Sequence, residues 1–275
     1  MSNNLGLVTV NGKNCETISI FDHGLLYGDG IYETIRIFNK CAFLFEDHLK
    51  RLFLSATAIS LKIPYSETEL VKMIKTTFKK SKLNDAFIRI IVTRGIGEQG
   101  LVSESKPNVI IIVNNREFNS LEKVIITISK IRRIDKNAID SKVKSLNYLN
   151  NILAKKDALS RKFDDALLLN NEGLLTEATT SNLFIVKKGK IFTPSSDSGI
   201  LEGVTRKAII ENFDVTEKDL SRKELMSADE VFLSGTVNFI TCVKRIDDQS
   251  FSKFDHAKKV LEKLMQITKI GTELK

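Results

Sequence analysis

Hydrophobic and polar residues alternate in short runs of the N-terminal part of the chain, and this period of two is typical of strands. The predicted strands are Val8–Val10, Ile18–Ile20, Ile31–Phe38, Ala42–Phe45, Phe87–Thr93 and Val109–Asn114. Asn11-Gly12 and Asn39-Lys40 are typical of hairpin turns. Apolar residues at helical spacing predict helices over His48–Ile59 and Ser66–Lys80, the second with a Ser-x-x-Glu capping box.

The C-terminal part of the chain mixes the same two periods. Its predicted strands are Val124–Ile128, Ala166–Leu169, Leu183–Val186, Lys190–Phe192, Val231–Leu233 and Ile240–Val243, and its predicted helices are Asn147–Lys162, Thr205–Phe213, Lys223–Ser227 and His256–Ile270. A polar stretch, Asn114–Leu121, separates the two series and predicts a smaller N-terminal domain over 1–118 and a larger one over 119–275. Mixed strands, helices and hairpins predict α/β domains with α+β character.

One long connection interrupts the predicted strands of the first domain. Arg94–Asn108 carries three glycines and a proline, and loops of this length are often functional. We therefore expect this loop to contribute to function.

Composition places the chain among ordinary folded proteins, with 42% hydrophobic and 28% charged residues. No secretory signal or membrane-spanning run is expected, and three scattered cysteines predict reduced thiols in a cytoplasmic protein. The net charge of +8 comes from dispersed lysines, without a nucleic-acid-binding motif, and predicts a solvated surface. Some of this charge would also suit an anionic cofactor and anionic substrates.

The sequence lacks the motifs of several common kinds of catalytic or binding site. His23, His48 and His256 have no metal-ligand spacing, so no metal site is expected. The sequence contains no GxSxG nucleophile elbow, GxGxxG or P-loop motif. What remains is Lys144, at the predicted entrance to a helix, and two turns that suit an anion, Gly203–Thr205 and Ser234–Thr236. Each of these features alone is more often structural.

Three segments in order carry a specific resemblance: K-S-L-N-Y-L from Lys144, T-E-A-T-T-S-N-L-F from Thr176 and G-I-L-E-G-V-T-R from Gly199. Together they resemble the fold-type IV pyridoxal phosphate enzymes, or class IV aminotransferases, over Val8–Val243. That family contains branched-chain aminotransferases, D-amino-acid aminotransferases and aminodeoxychorismate lyases. The resemblance implies a two-domain fold with the cofactor site at the domain interface, and a homodimer.

The resemblance also implies roles for single residues. Lys144 would form the Schiff base with pyridoxal 5'-phosphate and then act as the acid/base that moves the substrate proton. Glu177 would keep the pyridine nitrogen protonated, and Arg51 would bind the phosphate. The further cofactor contacts that it implies are Tyr148 at the 3′-oxygen, Leu201 against the ring, Val204, Thr205 and Thr236 at the phosphate, and Thr180 from the hydroxyl-rich run.

The resemblance implies a substrate pocket lined by Tyr27, Tyr32, Arg36, Arg89, Gly235 and Val237. Tyr32 and Arg89 alternate within strands, however, and simple packing or pairing remains an alternative for them. The Thr93–Leu101 loop pattern T-R-G-x-G-x-x-G-L and the late Gly235-Thr236 look more like branched-chain aminotransferases than like the other members.

Departures from each group limit the substrate assignment. Gly97–Leu101 lacks the R-x-H of D-amino-acid aminotransferases, and Gln99 stands where lyases commonly have an arginine. Phe87 and Cys242 stand where many branched-chain aminotransferases have tyrosine and proline. We expect transamination between a branched-chain or other hydrophobic amino acid and 2-oxoglutarate. Aminodeoxychorismate lyase, D-amino-acid aminotransferase and a non-catalytic binding protein are the alternatives, and the last would need none of the cofactor residues.

Overall fold

The computed structural model describes residues 6–97, 100–101, 105–115 and 118–274. The chain divides into two compact units, the first formed by Met1–Glu117, Val143–Asn147 and Ile267–Lys275, and the second by Phe118–Lys142 and Tyr148–Gln266. A single boundary after residue 118 would assign Lys144 to the second domain. The segment that carries Lys144 instead groups with the first unit, because Ser145 forms a β-bridge with Ile31.

The first unit is built on an antiparallel sheet. Its strands are β1 (Leu7–Val10), β2 (Lys13–Asn14), β3 (Gly30–Phe38), β4 (Cys41–Ala42), β5 (Ala86–Gly97), β6 (Ser105–Asn114) and β16 (Thr272–Glu273). In the described residues the order across the sheet is β16-β4-β3-β5-β6-β1-β2. Strand β3 therefore lies inside the sheet, paired with β4 and β5.

Helices cover one face of this sheet. They are α2 (Phe45–Ala58) and α3 (Glu67–Ser81), whereas the short helix α1 (His23–Tyr27) approaches Thr93 of β5, where an added Cβ at Gly24 would lie 2.4 Å from Thr93 Cγ2. Side chains at alternate positions of β3, such as Ile31 and Ile35, form one buried cluster with Leu49 and Leu52 of α2 and Ile74 of α3. The opposite face of β3 therefore carries Tyr32 and Arg36.

The second unit contains a closed arrangement of strands. Its strands are β7 (Lys123–Ile128), β8 (Asp165–Leu169), β9 (Leu175–Ala178), β10 (Asn182–Lys187), β11 (Lys190–Pro194), β12 (Val215–Lys218), β13 (Glu230–Gly235), β14 (Phe239–Ile246) and β15 (Gln249–Ser250). The described strands run in the order β12-β11-β10-β13-β14-β7-β8-β9, and β9 also pairs with β10. That last pairing, Glu177 with Asn182, closes the sheet on itself.

The helices of the second unit are α4 (Leu149–Ser160), α5 (Val204–Asn212), α6 (Arg222–Met226) and α7 (Asp255–Lys269), the last of which ends in residues grouped with the first unit. The buried Glu230 side chain accepts hydrogen bonds from the backbone N–H groups of His256 and Ala257 at the start of α7. Its carboxylate thereby satisfies donors that the helix itself leaves open. No described helix is long and apolar enough to cross a membrane.

The mixed α/β fold predicted from the sequence is confirmed, and most elements lie within a few residues of their predicted bounds. The capping box of α3 is present, with Ser66 and Glu69 bonded to each other's backbone. Ile18–Ile20 is not a strand, because the Asn11-Gly12 turn returns the chain at once and pairs Val10 with Lys13.

The predicted 94–108 loop is also shorter than expected. Strand β5 continues to Gly97 and β6 begins at Ser105, with a register shift between Thr93 and Ile96. Gly95 makes this bulge possible: its φ is 84°, and an added Cβ would lie 1.7 Å from the Lys106 carbonyl oxygen. Glu98 and Gln99, which lie in the segment that differs from D-amino-acid aminotransferases and lyases, lie outside the described residues.

Candidate active site

Lys144 lies in an extended segment of the first unit whose backbone is held on two sides. Its carbonyl accepts from the Tyr32 N–H at 3.0 Å, and its own N–H donates to Ser55 Oγ of α2 at 3.3 Å. Leu146 N–H donates to the Gly30 carbonyl at 2.9 Å. Helix α4 begins only at Leu149, so the expectation that Lys144 stands at a helix entrance is wrong. Strand pairing with β3 and the Ser55 hydroxyl fix its position instead.

The Tyr32 ring contacts two cations. Lys144 Nζ is 4.5 Å from the centroid of the Tyr32 ring, and Arg89 Cζ of β5 is also 4.5 Å from it. Both distances are within the range of cation–π attraction. The structure therefore brings together three of the residues predicted at the lysine and in the substrate pocket.

The other predicted substrate residues of the first unit have different surroundings. Arg36 is 1% exposed, and its Cζ lies 4.4 Å from the Phe87 ring centroid. Phe87, where a tyrosine is frequent in branched-chain aminotransferases, thus provides a ring against which a buried arginine packs. Tyr27 ends α1, is 41% exposed, and contacts the His23 ring edge-on.

A buried ionic cluster in the first unit was not predicted. The Glu33 side chain is fully buried, and its Oε1 accepts from Arg51 Nε at 2.5 Å while its Oε2 accepts from Arg51 Nη2 at 2.9 Å. His48 Nδ1 lies 2.8 Å from Glu33 Oε2. Burial would raise the pKa of Glu33, but Arg51 and His48 together hold that pKa well below its ordinary value. Glu33 is therefore a buried carboxylate ion.

His48 completes this cluster as a neutral imidazole. It is fully buried, and burial lowers its pKa below the ordinary histidine value despite the opposing effect of Glu33. Because the Glu33 carboxylate accepts hydrogen bonds, the Nδ1 of His48 must carry the proton and donate it. Arg51, predicted to bind a phosphate, is thus also a donor to Glu33.

Glu177 of the second unit has donors at both of its carboxylate oxygens. Its Oε1 lies 3.0 Å from Arg133 Nη2, and its Oε2 accepts from Asn182 Nδ2 and from Leu201 N–H, both at 3.1 Å. The glutamate is 6% exposed. Arg133 and Asn182 were not among the predicted site residues. Asn182 lies in the quoted hydroxyl-rich motif, whereas Arg133 lies in a polar segment without a distinguishing pattern.

The start of α5 forms a polar cradle in the second unit. Gly203 is the N-cap residue, and no side chain caps the helix there. Thr205 Oγ1 and Ser234 Oγ are buried without a hydrogen-bond partner. An added Cβ at Gly203 would lie 2.1 Å from Asn182 Oδ1, so the helix start must closely approach the residue that holds Glu177. Open N–H groups and orphaned hydroxyls are what an anion would satisfy.

The remaining predicted cofactor residues are spread over the second unit. Tyr148 is the N-cap residue of α4 and half-buried, Thr180 is exposed, Val204 is buried in the first turn of α5, and Leu201 is half-buried beside Glu177. Gly235 ends β13, and Thr236 and Val237 follow in the turn before β14, all three half-buried. No group of three or more potential metal ligands occurs in the described part of the chain.

Known proteins with similar sequences decide the family. A family model for class IV amino-transferases matches residues 30–246. The chain belongs to the class IV aminotransferases. A putative branched-chain-amino-acid aminotransferase of Methanocaldococcus jannaschii is 37% identical, over 97% of this chain and 98% of the relative. The crystal structure of a branched-chain aminotransferase from Thermoproteus uzoniensis with norvaline has a TM-score of 0.89 at 30% identity and covers 96% of this chain and 94% of its own.

Two other relatives in the class IV family carry different names. An aminodeoxychorismate lyase of Bacillus subtilis is 32% identical over 89% of this chain and 88% of its own length. A D-alanine aminotransferase of Listeria monocytogenes is 34% identical over 84% of this chain and 83% of its own length. The family therefore establishes an enzyme, while its members differ in the reaction and substrate named.

Class IV aminotransferases use pyridoxal phosphate, and the residues present fit that cofactor. The orphaned hydroxyls of Thr205 and Ser234 and the uncapped start of α5 suit a phosphate. The carboxylate of Glu177, already turned toward donors on both oxygens, suits a protonated ring nitrogen. The Lys144 amine, on a backbone held at both its N–H and its carbonyl, suits covalent attachment.

Proposed function

We propose that this class IV enzyme binds pyridoxal 5'-phosphate and transfers an amino group between a branched-chain or other hydrophobic amino acid and 2-oxoglutarate. The observation that carries the proposal is the placement of Lys144, with its backbone held by Tyr32 and Ser55 and its amine over the Tyr32 ring. The relative with 37% identity over nearly the whole chain supports the branched-chain assignment.

The chain's own residues would divide the work as follows. The cofactor, when bound, would supply an electron-withdrawing ring that stabilises negative charge developing at the substrate Cα. Lys144 Nζ anchors the cofactor covalently and afterwards takes and returns the substrate proton. Glu177 keeps the ring nitrogen protonated, so that its electron-withdrawing power is preserved. Arg51 and Thr205 bind the phosphate and hold the cofactor in place.

The further cofactor contacts remain part of the proposal. Thr236 adds a hydroxyl and Val204 an N–H group for the phosphate, Leu201 packs against the ring, and Tyr148 and Thr180 contribute polar groups. Leu201 is supported by its N–H bond to Glu177, which fixes its backbone beside the residue for the ring nitrogen.

The substrate contacts are proposed on the chemistry of the first unit. Tyr32 offers an aromatic surface to an apolar side chain, and Arg89 beside it offers a cation to a carboxylate. A pocket that must take both a hydrophobic amino acid and the dicarboxylate 2-oxoglutarate needs both features. Tyr27, Arg36, Gly235 and Val237 complete the proposed substrate set, the last two through backbone N–H groups.

The assay that tests the reaction compares three substrates with one protein. L-Leucine with 2-oxoglutarate should yield glutamate, whereas aminodeoxychorismate should yield no aminobenzoate and D-alanine little pyruvate. Aminobenzoate from aminodeoxychorismate, without glutamate from leucine, would replace the proposal with the lyase reaction. Pyruvate from D-alanine, without glutamate from leucine, would replace it with D-amino-acid transamination. A protein that does not take up pyridoxal phosphate at all would contradict every one of these reactions.

A homodimer in the cytoplasm is also proposed for this enzyme. The first unit exposes large apolar side chains in one stretch of chain, among them Ile20, Phe21, Leu25 and Leu26. Exposed apolar surface of this kind is typical of protein contacts. Sedimentation equilibrium should give about twice the chain mass of 30.9 kDa, and a monomer at micromolar concentration would contradict the dimer.

A further inference from the structure

Glu33 is the one carboxylate among the helix-facing positions of β3. Ile31, Ile35 and Ile37, at the same alternate positions, all belong to the apolar cluster under α2 and α3. An isolated carboxylate at such a position would be strongly destabilising, because the charge loses its hydration. Its presence requires compensating donors, and Arg51 and His48 of α2 supply them.

The geometry of the Arg51–Glu33 contact determines the direction in which the guanidinium group points. Arg51 uses Nε and Nη2, one edge of the guanidinium group, and the two bonds go to different oxygens of Glu33. A bidentate pair of this kind fixes the plane of the guanidinium group and therefore the direction of its other donors. The pair is nearly dry, since the side chain of Arg51 is 12% exposed and that of Glu33 is fully buried.

The carboxylate is itself held in place from other sides. His48 donates from Nδ1 to Glu33 Oε2 at 2.8 Å, and the Thr34 N–H donates to the same oxygen at 3.2 Å. Four residues further along α2 from Arg51, Ser55 binds the N–H of Lys144. One rigid helix thus links the position of the Arg51 guanidinium to the position of the lysine.

We propose that Glu33 is a positioning residue for Arg51: it orients the guanidinium group for the cofactor phosphate, with His48 holding the carboxylate in turn. This inference rests on the proposed function, in which Arg51 binds that phosphate. Glu33 contacts neither cofactor nor substrate and acts through Arg51. Its contribution is therefore specific to ligands that carry the phosphate group.

The experiment compares pyridoxal 5'-phosphate with pyridoxal, which lacks the phosphate, on the purified apo-protein. Dissociation constants for both are measured from the visible absorbance of the bound form. Glu33→Gln keeps the shape of the side chain but removes its charge. We expect it to weaken pyridoxal phosphate binding about tenfold, as for the loss of one well-placed ionic hydrogen bond, and to leave pyridoxal binding within about twofold.

Asp22→Asn is the matched control. Asp22 is also a fully buried carboxylate of the first unit, but it accepts from Thr93, Asn108 and the Gly24 N–H and not from Arg51. This variant should not change the ratio of the two dissociation constants. In an Arg51→Gln background, Glu33→Gln should have no further effect on that ratio, because the residue it positions is gone.

Three outcomes separate the possibilities. Equal weakening of both ligands by Glu33→Gln, or no weakening, would overturn the positioning role and indicate a purely structural one. If Glu33→Gln does not fold, Glu33→Asp retains the buried charge but is too short to reach both partners, and it must show the same selective loss. A wild-type protein that binds neither ligand would refute the proposed function itself rather than the role of Glu33.

Discussion

Replacement of Arg133 by methionine tests whether the buried pair with Glu177 behaves as the structure implies. Arg133 Nη2 lies 3.0 Å from Glu177 Oε1, and the two side chains are 13% and 8% exposed. At this separation, and at an effective dielectric constant of about 20, the attraction is about 5.5 kcal/mol before desolvation. Removing Arg133 takes a cationic partner from a buried carboxylate that also accepts from Asn182 and from the Leu201 N–H.

We expect Arg133→Met to lower the free energy of unfolding of the apo-protein by about 2–4 kcal/mol, at the lower end of the range for broken buried pairs because some water reaches both side chains. Adding Glu177→Gln should restore most of the loss, since the uncompensated charge is then removed. Urea denaturation followed by circular dichroism measures all the variants. If Arg133→Met changes stability by less than about 1 kcal/mol, or if the double variant is no more stable than Arg133→Met alone, the pair does not carry the energy assigned to it.

The other predictions concern Lys144, Thr205, Ser66 and His48. Lys144→Ala should abolish transamination and borohydride trapping of the cofactor while leaving the protein folded, and a trapped adduct in this variant would exclude Lys144 as the anchor. Thr205→Val should weaken pyridoxal phosphate binding several-fold without destabilising the apo-protein, because its buried hydroxyl has no partner there to lose; unchanged affinity by the same absorbance titration would contradict the phosphate role. Ser66→Ala should lower the free energy of unfolding by about 1 kcal/mol through loss of the capping box. An unchanged melting temperature in a calorimetric scan would contradict this. Burial lowers the pKa of His48 in the folded protein, so its contribution to stability is present above the unfolded value of about 6.5 and is lost as the pH falls below it. His48→Gln should therefore flatten the change in unfolding free energy between pH 8 and pH 5.5, and an identical slope in both proteins would argue against this origin.

Regular elements with strong periodicity were predictable from the chain because local preferences agreed with the fold. The capping box of α3 and the alternation of β3 specify those elements without reference to distant residues. The small strands β9 and β12 were not predicted. Each has only four residues, too few to show a clear alternation, although β9 pairs with its sequence neighbours β8 and β10. The glycines of 94–108 predict a longer loop than the structure has, because Gly95 allows a bulge within continuous strands.

The candidate site residues also differ in whether the sequence alone identifies them. Lys144 and Glu177 could be found because they stand in recognisable motifs, whereas Arg133 stands in none and is linked to Glu177 only by the folded chain. Glu33 lies between these cases. A carboxylate at a helix-facing position of an otherwise apolar strand is a visible anomaly, and physical chemistry requires that it have cationic or donor partners. The alternation of β3 thus predicts that such partners exist, but only the packing of α2 against that strand identifies them as His48 and Arg51. A buried charge that breaks a hydrophobic pattern is therefore worth following even where no motif marks it, because the residue that neutralises it can be one that the reaction needs.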